Sequence, residues 1–148
     1  MQSSLQGVFA ALITPIDECG RVDLQTFDRV VRFVLDRGVD AIVAGGGTAE
    51  YPHFSVDDRA ALIRRSVHLA KGRGQVIASV GTSSIHTTLQ LAREAATAGV
   101  DALLIPMPYF FRYAQDDLST FTEEVCAAVS IPCLLYNLPG FTNPIEVE

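Results

Sequence analysis

Lysine is nearly missing from this chain: Lys71 stands alone beside ten arginines. Tryptophan is absent, and no apolar run approaches the roughly 20 residues that a membrane span needs. The basic residues are scattered rather than clustered, and the net charge is −6, so no electrostatic footprint for DNA or RNA is present. Cys19, Cys126 and Cys133 are odd in number and lack CxxC spacing, which fits reduced thiols in a cytoplasmic protein. His53, His68 and His86 show no metal-ligand spacing. The opening "MQSSLQGVFAAL" has no positively charged n-region, so neither a signal nor a transit peptide is expected. Membrane, nucleic-acid and metal roles are therefore not expected.

What the chain does have is a regular alternation, with 49% hydrophobic residues to build a core. "GVFAALITP" (7–15) reads as a buried strand ended by Pro15. The helix that follows carries Leu24, Phe27, Val31, Val34 and Leu35 on one face, with Asp23 as N-cap and Gly38 as its stop. "AIVAGG" (41–46) is a second strand, and Ser55 with Asp58 makes a capping-box start for a helix with Ala60, Ile63, Val67 and Ala70. A third strand spans 75–81, then a helix with Ile85, Leu89, Ala92 and Ala96. A fourth strand spans 102–108, then a helix with Leu118, Phe121, Val125 and Ala128, and "IPCLLYN" (131–137) is a fifth strand. "GVDAIVAGG" at 38 and "GVDALLIPMP" at 99 share Gly-Val-Asp-Ala at the same helix-to-strand junction, two βα units apart.

Such alternation means an α/β fold with a parallel sheet and right-handed crossovers. An open doubly wound sheet and a closed (β/α)8 barrel both satisfy it. A barrel needs roughly 250 residues, so length favours the open sheet. The C-terminus argues the other way. In "FTNPIEVE", Asn143 suits an N-cap, Pro144 the first helical position and Glu146 the third, so a fifth helix is expected to begin there. The expected organisation is one domain over 1–148, the front part of a longer fold ending at the start of that helix.

The loop "AGGGTAEYPHFS" (44–55) is the first candidate for chemistry. Its spacing fails G-x-G-x-x-G at Glu50, and no G-K-[ST] exists, so both nucleotide fingerprints are rejected. What remains is a nest of backbone amides plus the Thr48 hydroxyl, able to hold a small anion, or else a turn that needs glycine for positive φ. Tyr136 and Tyr109 stand at the ends of the fifth and fourth strands, where active-site residues of parallel α/β folds collect; each could equally be a packing tyrosine. Asp57/Asp58 and Asp116/Asp117 sit in helix first turns, where the macrodipole accounts for them.

Together, "GVFAALITPID…GRVD", Gly-Gly-Thr-Ala-Glu (46–50), "PMPYF" (106–110) and "YNLP" (136–139) resemble the dihydrodipicolinate synthase/N-acetylneuraminate lyase family of class I aldolases. The resemblance covers essentially the whole chain. It implies a (β/α)8 TIM barrel, here its first five strands and four helices, and Schiff-base chemistry on pyruvate or a 2-keto acid with no cofactor and no metal. Thr48 with the amides of Gly47 and Ala49 matches the loop that holds the pyruvoyl carboxylate. Tyr136 matches the proton-relaying tyrosine, and Tyr109 the first aromatic of the family's Pro-Tyr-Tyr segment. Family members commonly form homotetramers.

The departures shape the expected function. Gly47 and Ala49 stand where the family usually has a hydroxyl residue and a glycine, Phe110 where the synthase has a tyrosine, and Phe141 where it has an arginine for its substrate's carboxylate. A lyase or aldolase acting on sugar-derived 2-keto-3-deoxy acids fits this pattern better than the synthase. The family's Schiff-base lysine lies on a sixth strand outside this sequence, and Lys71, after the second helix, faces the wrong rim to replace it. The 148-residue chain is thus expected to be inactive alone; the alternative is a catalytically silent half-barrel or binding module.

Overall fold

The structure, a computed structural model, describes residues 5–146. Five parallel strands, β1 (Phe9–Ala11), β2 (Ala41–Ala44), β3 (Gln75–Ser79), β4 (Ala102–Pro106) and β5 (Cys133–Tyr136), form one sheet in the order β1-β2-β3-β4-β5. Between them run α1 (Leu24–Asp36), α2 (Val56–Ala70), α3 (Ile85–Ala98) and α4 (Gln115–Ala127). A doubly wound sheet would reverse its strand order partway and place helices on both faces. Here the order is sequential, and right-handed crossovers then put every helix on the same face.

Side-chain alternation bears this out. Ile42 and Ala44 of β2, Val76 and Ala78 of β3, and Leu103 and Ile105 of β4 join Phe27, Ile63, Leu91 and Phe121, one from each helix, in a single buried cluster. Their neighbours Ala41, Ile77 and Ala102 form a separate cluster on the opposite face with Val43, Leu104 and Leu134. A sheet with helices on one side and a separate layer of apolar residues on the other is the wall of a (β/α)8 barrel.

The helix starts follow the expected caps. The Asp23 side chain accepts from the Thr26 amide at α1, and Ser55 Oγ accepts from the Asp58 amide at 3.1 Å at α2. The N-terminal carboxylates Asp57 and Asp58 face the positive end of α2, where they favour the helix. Strand boundaries are shorter than the apolar runs: only residues 9–11 of 7–15 pair as β1, an edge strand with one neighbour.

One expectation is corrected. The buried stripe of α3 is Thr88, Leu91, Ala92 and Ala95, while Ile85, Leu89 and Ala96 are only half-buried. Thr88 can turn inward because its hydroxyl accepts from the Thr82 amide at 3.1 Å and lies 3.0 Å from the Thr82 hydroxyl, so burial leaves no orphaned oxygen. The expected start of a fifth helix at Asn143 runs into Val147 and Glu148, which lie outside the described residues. Before them the Glu146 amide donates to Gln115 Oε1 of α4 at 3.1 Å.

All three cysteines are free, and burial, then the neighbouring Cys126 thiol, pushes the Cys133 thiol up to about 12. No helix among the described residues is long and apolar enough to cross a membrane.

Candidate functional site

The loop after β2 is two tight turns in succession. A 3-10 turn over Gly47–Ala49 passes through Glu50, whose φ of 54° is left-handed, into a second turn over Tyr51–His53, and Ser55 then caps α2. Within the first turn the Ala49 amide donates to Gly46 O at 3.1 Å and the Glu50 amide to Gly47 O at 2.9 Å. Ala49 is buried and its donor is occupied. The amides of Gly47 and Thr48 have no backbone acceptor among the described residues, and both residues are exposed. Of the three loop residues matched to an anion cradle, Gly47 and Thr48 offer donors and Ala49 anchors the turn.

Tyr136 is the last residue of β5, paired in register with Pro106 of β4. A Cβ placed on Gly47 would lie 3.6 Å from the Tyr136 hydroxyl. Strands β3 and β4 separate β2 from β5, so this approach crosses the concave side of the rolled sheet. Tyr109, half-buried just past β4, packs its ring edge-on to Tyr51 at 5.9 Å and 71°. The fold thus gathers Thr48, Gly47, Tyr136 and Tyr109 on the rim formed by the strands' C-terminal ends. Lys71 ends α2 on the opposite rim and is exposed. Among the described residues no group of three or more His, Cys, Asp or Glu side chains is placed to hold a metal ion.

Two residues of this rim were not anticipated. Tyr51 is 5% exposed, and burial, followed by the nearby Tyr109 phenol, pushes its hydroxyl up to about 12; Tyr136 adds to the shift and Arg59 opposes it. Arg59 is 3% exposed. Its Nη1 donates to Gly81 O and its Nη2 to Ser79 O, both at 3.0 Å, and its guanidinium stacks 5.0 Å from the Tyr51 ring centroid. Burial pulls Arg59 down to about 10, which still leaves it cationic at neutral pH. Arg59 Nε and Ser79 Oγ are buried without a hydrogen-bond partner. Gly81 is required here, because a Cβ would fall 2.5 Å from Pro106 Cγ where the ends of β3 and β4 converge. The signal for Arg59 was its phase: Arg59, Ile63, Ser66 and Ala70 share one buried stripe of α2, so a charged residue stands in line with the core positions.

Asn143 is the third unanticipated member. Its Nδ2 donates to Pro108 O at 2.8 Å and Phe111 O at 2.7 Å, and its Oδ1 accepts from the Tyr113 amide at 3.0 Å. One buried amide therefore straps the segment after β5 onto the loop that carries Tyr109.

Comparison with known proteins places this arrangement. The model of the dihydrodipicolinate synthetase family matches residues 4–146. The 4-hydroxy-tetrahydrodipicolinate synthase of Sorangium cellulosum is 40% identical over 142 residues, which are 95% of this chain and 47% of that protein. The solved structure of dihydrodipicolinate synthase from Aquifex aeolicus superposes with a TM-score of 0.89 at 35% identity, covering 93% of this chain and 47% of that one. The 2-keto 3-deoxygluconate aldolase of Picrophilus torridus superposes with a TM-score of 0.91 at 25% identity, covering 97% and 52%. The chain spans about half the length of the curated relatives it matches. On the extent of that match, and with the helices confined to one face of a sequential parallel sheet, the chain belongs to the dihydrodipicolinate synthetase family.

Proposed function

We propose that this chain forms the carboxylate-binding and proton-relaying part of a lyase or aldolase that acts on pyruvate or a 2-keto-3-deoxy acid through a lysine Schiff base. The observation that carries the reading is the approach of the Gly47 loop to the Tyr136 hydroxyl across the concave face, 3.6 Å from where a Cβ would be. Free amides at Gly47 and Thr48, with the Thr48 hydroxyl, suit a carboxylate, since charge-assisted hydrogen bonds to an anion are the strong ones. A keto acid held there presents its carbonyl carbon toward the interior. An amine condensing with that carbon loses water and leaves an iminium that accepts the electron pair released when the next carbon–carbon bond breaks. On this reading Tyr136 takes the proton from the departing alcohol and returns it. Tyr109 and Tyr51 wall the same space.

The lysine belongs, on this reading, to a strand outside the present sequence, and the complete enzyme is a homo-oligomer. Preference for a sugar-derived acid over the synthase's substrate is supported by Phe141, an exposed aromatic at the rim. The second reading, a half-barrel without catalysis, draws on Lys71 being the sole lysine and facing the opposite rim.

Pyruvate with borohydride, followed by intact mass, separates the two. A reduced pyruvoyl adduct is expected on the complete reading frame and none on the 148-residue chain. An adduct on Lys71 overturns the placement of the nucleophile, and no adduct on the longer product overturns the aldolase reading.

A further inference from the structure

Two of the three thiols meet at one point of the fold. Cys126 stands in the last turn of α4 and Cys133 opens β5, with six residues between them. On β5, Leu134 faces the apolar layer away from the helices, so Cys133 beside it faces the helix side. Both cysteines are half-buried and pack against the same core cluster, the one that joins the helices to the sheet. Their thiols are close enough to hydrogen-bond, and the Cys133 thiol also donates to Ile131 O at 3.6 Å. Cys19 stands apart, exposed on the turn that the Asp17 side chain organises.

Neither sulfur has a part in the keto-acid chemistry above. What they share is a place where the sheet is weakly held. Among the described residues β5 pairs on one side only, with β4, and none of its residues is fully buried, whereas β2, β3 and β4 are paired on both sides and mostly buried. A bond between the two sulfurs ties the first residue of β5 to its neighbouring helix. Tyr136 ends the same strand three residues later.

We propose that Cys126 and Cys133 are a reversible dithiol–disulfide pair, oxidised by a low-molecular-weight disulfide, whose crosslink clamps β5 to α4. The Cys126 thiolate bonds one sulfur of the small disulfide and expels the other as a thiolate, which takes up the Cys126 proton. Cys133 then attacks the Cys126 sulfur, and the second small thiolate leaves with the Cys133 proton. Two protein thiols lose two electrons and two protons, and one small disulfide becomes two thiols. The surroundings set this order. Burial, then the Cys126 thiol, pushes the Cys133 thiol up to about 12, so Cys133 is not the sulfur that starts. Once Cys126 is in the mixed disulfide its share of that shift is gone, and Cys133 is easier to deprotonate as the second attacker.

The test places the full 148-residue chain in glutathione buffers of stepped disulfide-to-thiol ratio, quenches with iodoacetamide and maps the tryptic peptides. No Lys or Arg follows Arg112, so both cysteines fall in the peptide that starts at Tyr113, and Cys19 falls in another. The Tyr113 peptide is expected to lose two hydrogens, while Cys19 takes at most a glutathione adduct. Because the native fold brings the two sulfurs together, the ratio of disulfide to dithiol should be at least about tenfold higher in the folded chain than in the urea-unfolded chain in the same buffer. By linkage, oxidation should then raise the urea midpoint of the chain. Cys133→Ser should stop at a glutathione adduct on Cys126, and oxidation of that variant should leave the midpoint without the rise. A ratio no higher in the folded chain, a lowered midpoint, or glutathione adducts that persist on both cysteines overturns the pair. None of these readouts involves pyruvate, so the keto-acid reading stands or falls by its own trapping experiment.

Discussion

At the strands' N-terminal rim, Asp40 and Asp101 do the same job twice. Asp40 Oδ2 accepts from the Val8 amide at 2.7 Å while its own amide donates to Val8 O at 3.0 Å; Asp101 Oδ2 accepts from the Val76 amide at 2.8 Å while its amide donates to Val76 O at 2.8 Å. Each follows a glycine in the left-handed conformation, Gly38 or Gly99, that ends a helix. At the C-terminal rim nothing repeats. The loop after β2 makes two 3-10 turns, the loop after β4 carries a left-handed Phe110, and the segment after β5 is pinned through Asn143. One rim solves a single folding problem by repetition, and the other holds unlike side chains at defined positions. The difference predicts that substitutions below will alter stability and those above will alter chemistry or binding.

The largest expected effects test that division on the upper rim. In the complete reading frame, Thr48→Ala or Tyr136→Phe should lower turnover by about 10²-fold or more, with melting temperature nearly unchanged. Unchanged turnover in both would remove these residues from the chemistry. Arg59→Met breaks the division deliberately, since this residue belongs to the upper rim yet is buried like core. Removing the guanidinium strands Ser79 O and Gly81 O and should destabilise by about 3 kcal/mol, read by urea unfolding. A loss within about 0.5 kcal/mol would mean that the two carbonyls find water. On the lower rim, Asp101→Ala should destabilise by about 1–2 kcal/mol, and Asp40→Ala by less because Asp40 is exposed. A reversed ranking would break the equivalence of the two junctions.

That same contrast explains which parts could be read from residues. The caps at Asp23 and Ser55 and the Gly-Val-Asp-Ala echo are local devices, completed within a few residues or one strand spacing, so pattern reveals them. Thr48, Tyr109 and Tyr136 were marked as candidates by their positions at strand ends and by resemblance to a family, and the fold brings them to one rim. Arg59, Tyr51 and Asn143 were missed because their partners are remote: Gly81 lies 22 residues from Arg59, and Pro108 lies 35 from Asn143. A polar side chain satisfied across such distances looks, in sequence, like a solvated one. Asn143 carries the local features of an N-cap, and these say nothing of its tertiary hydrogen bonds to Pro108 O and Phe111 O. Thr88 is the same case on α3, a hydroxyl that enters the core because Thr82 receives it.

Tyr51 sharpens the comparison by pH. In the unfolded chain its phenol ionises near 10, in the folded chain near 12. Its contribution to stability is therefore complete below about pH 10 and is lost as pH rises toward 12. Phenolate absorbance should show a late component near pH 12 that Tyr51→Phe removes while keeping the ring against Tyr109 and Arg59. If the variant titrates like the parent, the phenol is not held in this environment.

The smallest effect is expected at Gly47, and its smallness carries information. Gly47 does not have a positive φ, and an added Cβ would meet the Tyr136 hydroxyl at 3.6 Å, an ordinary contact. Gly47→Ser should therefore fold with stability changed by less than about 0.5 kcal/mol, the lost backbone freedom of the unfolded chain offsetting any slight crowding. The new hydroxyl would lie within reach of Tyr136 Oη and compete with whatever occupies that space during turnover. A neutral effect on melting with altered kcat would show that the gap above Tyr136 serves the reaction. A large drop in melting temperature would show instead that the glycine serves the turn, and the two rims would then differ less than their geometry implies.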